Sequence, residues 1–154
     1  MIDMEKIFFY ETPVGKICIG EENGCITHVT WTKIPKEYVL EETELIQSCK
    51  KQLEEYFAGK RKAFDLPLAP KGTAFQQKVW KALTEIPYGE TRTYGEIAAA
   101  VGNPKGARAV GMANNKNPIG IIIPCHRVVG ANGKLVGYAG GMEKKAFLLE
   151  LERK

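Results

Sequence analysis

The sequence lacks any long hydrophobic run, since no stretch approaches the roughly 18 apolar residues that a membrane-spanning helix requires. It also lacks the pattern of a signal peptide, because acidic residues come early and no small-residue cleavage site follows them. The four cysteines are too scattered for a disulfide scaffold, and no repeats or low-complexity tracts occur. We therefore expect a cytoplasmic protein with reduced thiols.

Charge is divided unevenly along the 154 residues, a length that allows one or two small domains. Residues 1–70 contain nine Lys or Arg and twelve Asp or Glu, a net charge of −3. Residues 71–154 contain thirteen and six, a net charge of +7. This division indicates that the second half contacts a polyanion such as nucleic acid, although a well-solvated surface would also account for it.

The first third of the chain has the pattern of short strands. KIFFYET, GKICIGE and CITHVTW are rich in β-branched and aromatic residues and are separated by turn residues. EETELIQSCKKQLEEYFAG then has apolar residues at helical spacing and ends on Gly59, and a short strand, KAFDL, is predicted after it. Strands with one helix packed on them predict a small α+β domain over residues 1–69.

After a linker, LPLAPKGT, the apolar period becomes helical. We predict helices in AFQQKVWKALTEI, capped by Thr73, in YGEIAAAVG, capped by Thr93, and in KGARAVGMANN, opened by Pro104. The second and third have the proportions of a helix-turn-helix, a pattern that many helix pairs share. The third also combines basic residues with small ones, which favours close approach to a nucleic-acid groove.

The last segment predicts a turn at Asn132-Gly133 and a closing helix, MEKKAFLLELERK, with an apolar stripe that includes Met142, Ala146 and Leu149. Residues 70–154 are therefore predicted to form a second, mostly helical domain.

A cysteine and a histidine, Cys125 and His126, follow the aliphatic run IGIIIP, which we predict to be a strand. A thiol must lose its proton to act as a nucleophile, and a nearby base assists it. Adjacent side chains of an extended chain point to opposite faces, so His126 would act through a water molecule unless the backbone turns. Glu150 or Glu152 could orient the imidazole. Without further context the pair favours a structural role, because buried free cysteine is common.

Several motifs together change that balance. IIIPCHRVVG, with FQQKVW, YGETRTYGEIA, GNPKGARAVG and NKNPI, resembles the O6-alkylguanine-DNA alkyltransferases, or methylated-DNA–protein-cysteine methyltransferases, over residues 75–152. The N-terminal part is similar more loosely, through TPVGKICIG. The resemblance implies a ribonuclease-H-like N-terminal domain and a winged-helix-like C-terminal domain with a helix-turn-helix. It implies DNA repair in which an alkyl group passes irreversibly from flipped O6-alkylguanine, or O4-alkylthymine, to the protein's own cysteine.

The resemblance also implies roles for five side chains. Cys125 is the nucleophile, His126 accepts the thiol proton through a water molecule, and Glu152, rather than Glu150, orients the imidazole. Tyr94 hydrogen-bonds the flipped base and supplies a proton as it leaves. Asn117 fixes the active-site loop. No cofactor and no metal are implied, and each molecule acts once.

The implied partner is double-stranded DNA containing O6-alkylguanine, bound through its minor groove by a monomeric protein. Arg108 fills the gap left by the extruded nucleotide. The other expected DNA contacts are Tyr94, Lys105, Ala109, Gly111 and Asn114. The expected base contacts are the carbonyls of Cys125 and Val128, the amide N–H of Ala139, and Tyr138.

Some family members have proline at position 120 and serine at position 139, where this chain has Gly120 and Ala139. Backbone recognition at Ala139 should survive, whereas Gly120 removes a bulky pocket wall and should admit larger alkyl groups. Cys18, Cys25 and His28 do not have a common zinc spacing, so we predict that they pack as strand residues.

Three other functions compete with alkyl transfer. An alkyltransferase-like protein that binds damage without transfer would lack the reactive cysteine, which is present here in PCHR. A helix-turn-helix regulator would need an effector domain, and a cysteine hydrolase would need an oxyanion hole. The sequence indicates neither.

Overall fold

The computed structural model describes residues 4–135, 138 and 141–153. A sheet with one helix comes first, and helices dominate the rest, which confirms the predicted α+β class. The strands are β1 (Glu5–Thr12), β2 (Gly15–Glu22), β3 (Cys25–Thr30), β4 (Tyr38–Leu40), β5 (Arg92–Thr93) and β6 (Val128–Val129). The helices are α1 (Glu44–Phe57), α2 (Ala74–Thr84), α3 (Tyr94–Ala100), α4 (Ala107–Asn115) and α5 (Met142–Glu152). Within the described residues, no helix has the length and apolar character needed to cross a membrane.

The N-terminal sheet has the strand order β3-β2-β1-β4. Its three long strands are antiparallel neighbours, and the tight turn between β2 and β3 contains Asn23 and Gly24, both with positive φ (52° and 78°). Two residues with positive φ match the right-handed twist of a hairpin, and this is why Asn-Gly is favoured there. The sequence pattern therefore located these three strands correctly.

The prediction missed one strand of this sheet and placed another where none forms. The edge strand β4, which pairs in parallel with β1 over three residues, was not predicted, because its segment is short and exposed. KAFDL, residues 62–66, forms no strand. Its backbone is held instead by the side chain of Gln52, which donates to the Asp65 carbonyl (3.1 Å) and accepts from the Asp65 amide (2.9 Å).

Helix α1 covers one face of the sheet. Thr43 caps it by accepting from the amide of Ile46 (3.1 Å), as a threonine before an apolar helical pattern predicts. Its inward face buries Ile46, Cys49, Leu53 and Tyr56. The Tyr56 side chain crosses this core and its hydroxyl reaches Glu152 of the C-terminal half.

Two of the four C-terminal helices begin with a side-chain cap, and the other two, α4 and α5, follow a glycine and have none. Thr73 and Thr93 both form complete capping boxes, at the starts of α2 and α3. Helix α4 starts at Ala107 rather than beside Pro104, because residues 103–106 form a turn. In that turn Gly106 lies so close to Asn103 that a Cβ would come within 2.4 Å of its Nδ2.

The free edge of β3 joins the two halves. The Val29 amide donates to the Pro118 carbonyl (3.0 Å), and the Gly120 amide donates to the Val29 carbonyl (2.8 Å). Earlier on the same strand, Ile26 forms an isolated bridge with Leu68 in the predicted linker. The linker and the loop before Cys125 are therefore both hydrogen-bonded to the N-terminal sheet.

Candidate active site around Cys125

The loop that leads to Cys125 is not the strand that its aliphatic composition predicted. Only Ile119 makes a bridge, to Val29, and residues 120–122 turn back on themselves. Ile121 has φ of 68°, a left-handed conformation that is rare for a β-branched residue and costs about 1–3 kcal/mol unless its surroundings impose it. Residues Cys125–Arg127 then form a short 3-10 helix. Cys125 and His126 are therefore not in the extended conformation from which their opposite orientation was predicted.

Asn117 supplies the hydrogen bonds that hold this turn. Its Nδ2 donates to the carbonyls of Ile119 (3.1 Å) and Ile123 (2.9 Å), and its Oδ1 accepts from the Ile119 amide (3.0 Å). The side chain is 7% exposed, so these bonds are shielded from water. The side-chain amide of Asn117 thus supplies the hydrogen bonds that neighbouring strands would otherwise have supplied to this segment.

The Cys125 thiol is buried, with the residue 3% exposed. Burial raises the pKa of Cys125, while the nearby Asn117, Lys145 and Tyr138 side chains act in the opposite direction. The net direction is upward, so at neutral pH the resting group is a thiol rather than a thiolate. Attack by this sulfur therefore requires a proton acceptor.

His126 has the properties that such an acceptor needs. Its Nε2 lies 2.7 Å from Glu152 Oε2, and its Nδ1 is buried without a hydrogen-bond partner among the described residues. Burial lowers the pKa of His126 although Glu152 opposes that effect, so the imidazole is neutral at pH 7. An ionised carboxylate can only accept, so Nε2 carries the hydrogen and Nδ1 has a free lone pair. A water molecule could pass the thiol proton to that nitrogen.

Glu152 is held by more than the histidine. Arg127 donates to both of its oxygens, from Nε to Oε1 (2.9 Å) and from Nη2 to Oε2 (3.1 Å). The hydroxyl of Tyr56 donates to Oε2 (2.5 Å). Burial alone would raise the pKa of Glu152, but hydrogen bonds from His126, Arg127 and Tyr56 outweigh it and lower the pKa to about 2. Glu150, the other carboxylate considered, is exposed on the same helix.

Tyr94 stands at the first position of α3, and the pairing of β5 with β6 brings it beside the cysteine segment. Arg92 and Thr93 pair in parallel with Val128 and Val129. Burial and the negative charge of a Cys125 thiolate both raise the pKa of Tyr94, so its hydroxyl remains protonated. A protonated phenol close to the sulfur can act as a general acid.

Lys145 is a site residue that the sequence analysis missed. It is 0% exposed, its Nζ donates to the Val128 carbonyl (2.5 Å), and burial lowers its pKa to about 8. The buried face of α5 is in fact Lys145, Leu148, Leu149 and Glu152, whereas Met142 and Ala146, assigned to the apolar stripe, are exposed. The spacing of Lys145 and Glu152, two helical turns apart, was the available signal.

Helix α4 and the turn that precedes it present part of the predicted DNA-contacting set to solvent. Lys105, Arg108 and Ala109 are exposed, and the ring of Tyr94 packs against Gly111, where a Cβ would lie 3.8 Å from it. Asn114 was expected to contact DNA, and its position contradicts this. It is 1% exposed and donates to the Cys125 carbonyl (3.3 Å), so it cannot reach a duplex.

The predicted base contacts lie around a narrow cavity beside the sulfur, whose free volume is only about 10 Å³. Cys125 and Tyr138 line it directly, and Val128 is buried nearby on β6. Ala139 lies outside the described residues. Position 120 does not open the cavity as expected. A Cβ on Gly120 would come within 3.2 Å of the Trp31 ring, so an N-terminal indole occupies the space where other members have proline.

Cys18, Cys25 and His28, the residues considered as zinc ligands, lie on β2 and β3. Cys18 is 2% exposed in β2, and His28 is paired with the Glu5 carboxylate. Among the described residues no group of three His, Cys, Asp or Glu side chains is arranged to hold a metal ion. All four cysteines are free thiols.

Comparison with known proteins finds two family models that together span most of the chain. The ribonuclease-like domain of 6-O-methylguanine DNA methyltransferase matches residues 7–70, and its DNA binding domain matches residues 74–154.

Individual relatives match nearly end to end. A methylated-DNA–protein-cysteine methyltransferase from Methanosarcina acetivorans is 57% identical over 93% of this chain and 95% of its own. The constitutive enzyme of the same name from Bacillus subtilis is 53% identical over 93% and 92%. A crystal structure of a Mycobacterium tuberculosis OGT in complex with DNA superposes with a TM-score of 0.91 at 45% identity, covering 96% of this chain and 92% of that one.

Proposed function

Because the chain belongs to the methylated-DNA–protein-cysteine methyltransferase family, we propose that it repairs DNA by transferring an alkyl group from O6-alkylguanine to Cys125. The observation that carries this proposal is the buried Cys125 thiol beside a neutral imidazole whose other nitrogen is bound to ionised Glu152. O4-alkylthymine is a second substrate of the same chemistry. No cofactor takes part.

The proposed reaction is a single displacement. The Cys125 proton passes through a water molecule to Nδ1 of His126, and Glu152 stabilises the resulting imidazolium. The thiolate attacks the alkyl carbon, so a sulfur–carbon bond forms as the bond from that carbon to guanine O6 breaks. The departing guanine takes a proton from the Tyr94 hydroxyl. The thioether product has no ionisable hydrogen and is a poor leaving group, so each molecule acts once.

The remaining site residues would position the base. Asn117 keeps the loop in its turn, and the carbonyl of Cys125 accepts from the guanine amino group together with that of Val128. The Val128 carbonyl accepts from Lys145 in this structure, so base entry would change or share that hydrogen bond. Ala139 and Tyr138 complete the proposed base contacts.

We propose double-stranded DNA as the partner, bound in its minor groove by α4 of a monomeric protein. Arg108 and Ala109 are exposed on this helix and Lys105 is exposed in the turn before it. Residues 71–154 have a net charge of +7, so phosphate attraction favours this half. Arg108 would occupy the space of the flipped nucleotide. The proposed domains are residues 1–69 and 70–154, and the proposed location is the cytoplasm.

The decisive experiment is mass spectrometry after mixing the protein with a duplex containing one O6-methylguanine. We expect one methyl group to replace the thiol hydrogen, located on the peptide that contains Cys125, and no adduct in Cys125→Ser. Binding of the damaged duplex without any adduct would instead indicate an alkyltransferase-like protein. More than one demethylated guanine per protein molecule would contradict the single-turnover reaction.

A further inference from the structure

The N-terminal half supplies much of the cavity beside the sulfur. Five residues that end β3 or follow it contribute to the lining: Val29, Thr30, Trp31, Thr32 and Lys33. The C-terminal half contributes Asn117, Gly120, Cys125 and Tyr138. Any group transferred to the sulfur from a base in this cavity must therefore fit beside side chains of the N-terminal half.

Trp31 is the largest of these side chains, and it lies directly over Gly120. A Cβ at position 120 would approach the ring atom Cζ3 to 3.2 Å and the Val29 carbonyl to 3.2 Å. The indole also contacts Tyr138 edge to face, with ring centroids 6.0 Å apart. Its Nε1 is buried without a hydrogen-bond partner among the described residues. Such an unpaired buried donor is typical of a site where a bound molecule supplies the acceptor.

The segment that carries Trp31 is fixed on both sides. Thr30 Oγ1 accepts from the amides of Thr32 (3.3 Å) and Lys33 (3.1 Å), which closes a tight turn around the tryptophan. Lys33 Nζ donates to the Asn115 carbonyl at the end of α4 (3.2 Å). On the indole itself, Lys144 Nζ lies 5.7 Å from the ring. These hydrogen bonds fix the backbone that carries the indole, and Lys144 and Tyr138 contact the ring itself.

We propose that Trp31 limits the size of the alkyl group that Cys125 accepts, and so acts as a specificity-determining residue. This inference rests on the proposed alkyl transfer. A methyl group needs little space beyond the sulfur, whereas a benzyl group would have to occupy volume that the indole fills. Gly120 removes a side chain from the cavity, and Trp31 refills it from the other half of the protein.

The test compares transfer rates from O6-methylguanine and O6-benzylguanine placed in the same duplex. In Trp31→Ala we expect the benzyl-to-methyl rate ratio to rise at least about tenfold, since loss of a bulky pocket wall changes discrimination by this order or more. Trp31→Phe, which keeps an aromatic ring, should change the ratio only slightly. The matched control is Phe9→Ala, because Phe9 is also a half-buried aromatic of the N-terminal sheet with a lysine over its ring (5.1 Å).

Both rates are measured on one protein preparation, so a partly unfolded fraction lowers them equally and leaves their ratio unchanged. If Trp31→Ala does not fold, Trp31→Leu takes its place. An unchanged ratio in whichever variant folds, or an equal rise in Phe9→Ala, would overturn the inference. Failure of the wild-type protein to form a methyl adduct would overturn the proposed function instead. Methyl transfer by the wild type with an unchanged ratio in the variant isolates the failure to Trp31.

Discussion

The regions around Cys49 and Cys125 bury two thiols to nearly the same extent, 0% and 3% exposed, yet they differ in chemistry. Around Cys49, on the inner face of α1, burial raises the thiol pKa to about 12, and no polar side chain among the described residues counteracts this rise. Around Cys125, burial also raises the pKa, but the polar side chains of Asn117 and Tyr138 and the Lys145 cation act against it. Polar surroundings, and not exposure, therefore distinguish the thiol of Cys125 from that of Cys49.

The two regions also differ in how they are built. Cys49 belongs to a single helix that packs on the sheet. The site around Cys125 is assembled from the loop, from α3 and α5, and from two side chains of the N-terminal half, Tyr56 and Trp31. A reactive site of this kind depends on contacts between elements that are distant in sequence.

The largest contrast should come from replacing each thiol. Cys125→Ser should abolish methyl transfer, because a serine hydroxyl is a far weaker nucleophile than a thiolate. Cys49→Ser should transfer one methyl per folded molecule and should unfold at lower temperature, because it puts a hydroxyl into an apolar interior. Adduct mass and a thermal melt measure the two effects. Loss of transfer in folded Cys49→Ser would contradict the distinction.

The next contrast uses two carboxylates of α5. Glu152→Gln should slow transfer by about a hundredfold or more, since it removes the charge that stabilises protonated His126. It should also destabilise the protein by about 3–5 kcal/mol, because Arg127 is left as a buried cation without its partner. Glu150→Gln, two residues away and exposed, should change neither rate nor stability by much. Equal effects of the two substitutions would contradict the assignment of Glu152.

The same carboxylate predicts a pH dependence of stability. Its folded pKa of about 2 lies below the ordinary value of 4.5, so Glu152 stabilises the fold above about pH 4.5. That stabilisation is lost as the pH falls from about 4.5 toward 2. The melting temperature of the wild type should therefore fall more steeply over this range than that of Glu152→Gln. Parallel curves would show that other carboxylates dominate acid unfolding.

The smallest effect tests whether the N-terminal half supports the site through Tyr56. Tyr56→Phe removes one hydrogen bond to an ionised carboxylate and should cost about 1.5–3 kcal/mol of stability. The transfer rate should fall several-fold, because Glu152 loses one of the hydrogen bonds that fix its position against the imidazole. The pH dependence that His126 gives to the rate should shift for the same reason. Tyr10→Phe is the matched control, since its hydroxyl also bonds a glutamate, Glu42, but at an exposed position. Equal losses of activity in both variants would exclude a specific role for Tyr56.

Local patterns predicted the regular elements well where one physical rule acts alone. Thr73 and Thr93 were correctly predicted as caps, because a threonine before an apolar helical pattern is a strongly preferred N-cap residue. The same reasoning failed for IGIIIP, whose β-branched composition favours a strand. There Asn117 imposes a turn by three side-chain hydrogen bonds, which outweigh local propensity.

Long-range contacts account for the site residues that were missed or misassigned. Asn114 looked like a helix-surface residue, but the loop folds under α4 and brings the Cys125 carbonyl to its amide. In the sequence, Lys145 is one of two adjacent lysines at the start of α5. In the structure it is a buried donor, because the Val128 carbonyl lies within hydrogen-bonding distance of it. No local pattern encodes which carbonyl a distant chain segment will present.

By itself, the sequence determined the α+β class, most of the helices and strands, and the family, since these depend on local propensity and on motifs. The assignment of Cys125 as the nucleophile stays a prediction. The tertiary structure decided the conformation of the loop before Cys125, the hydrogen bonds from Tyr56, His126 and Arg127 that converge on Glu152, and the indole that fills the space over Gly120. The physical reason is that burial sets both the pKa values and the available space at the site. Burial depends on residues such as Tyr56 and Trp31, which lie more than 90 positions from their partners Glu152 and Tyr138.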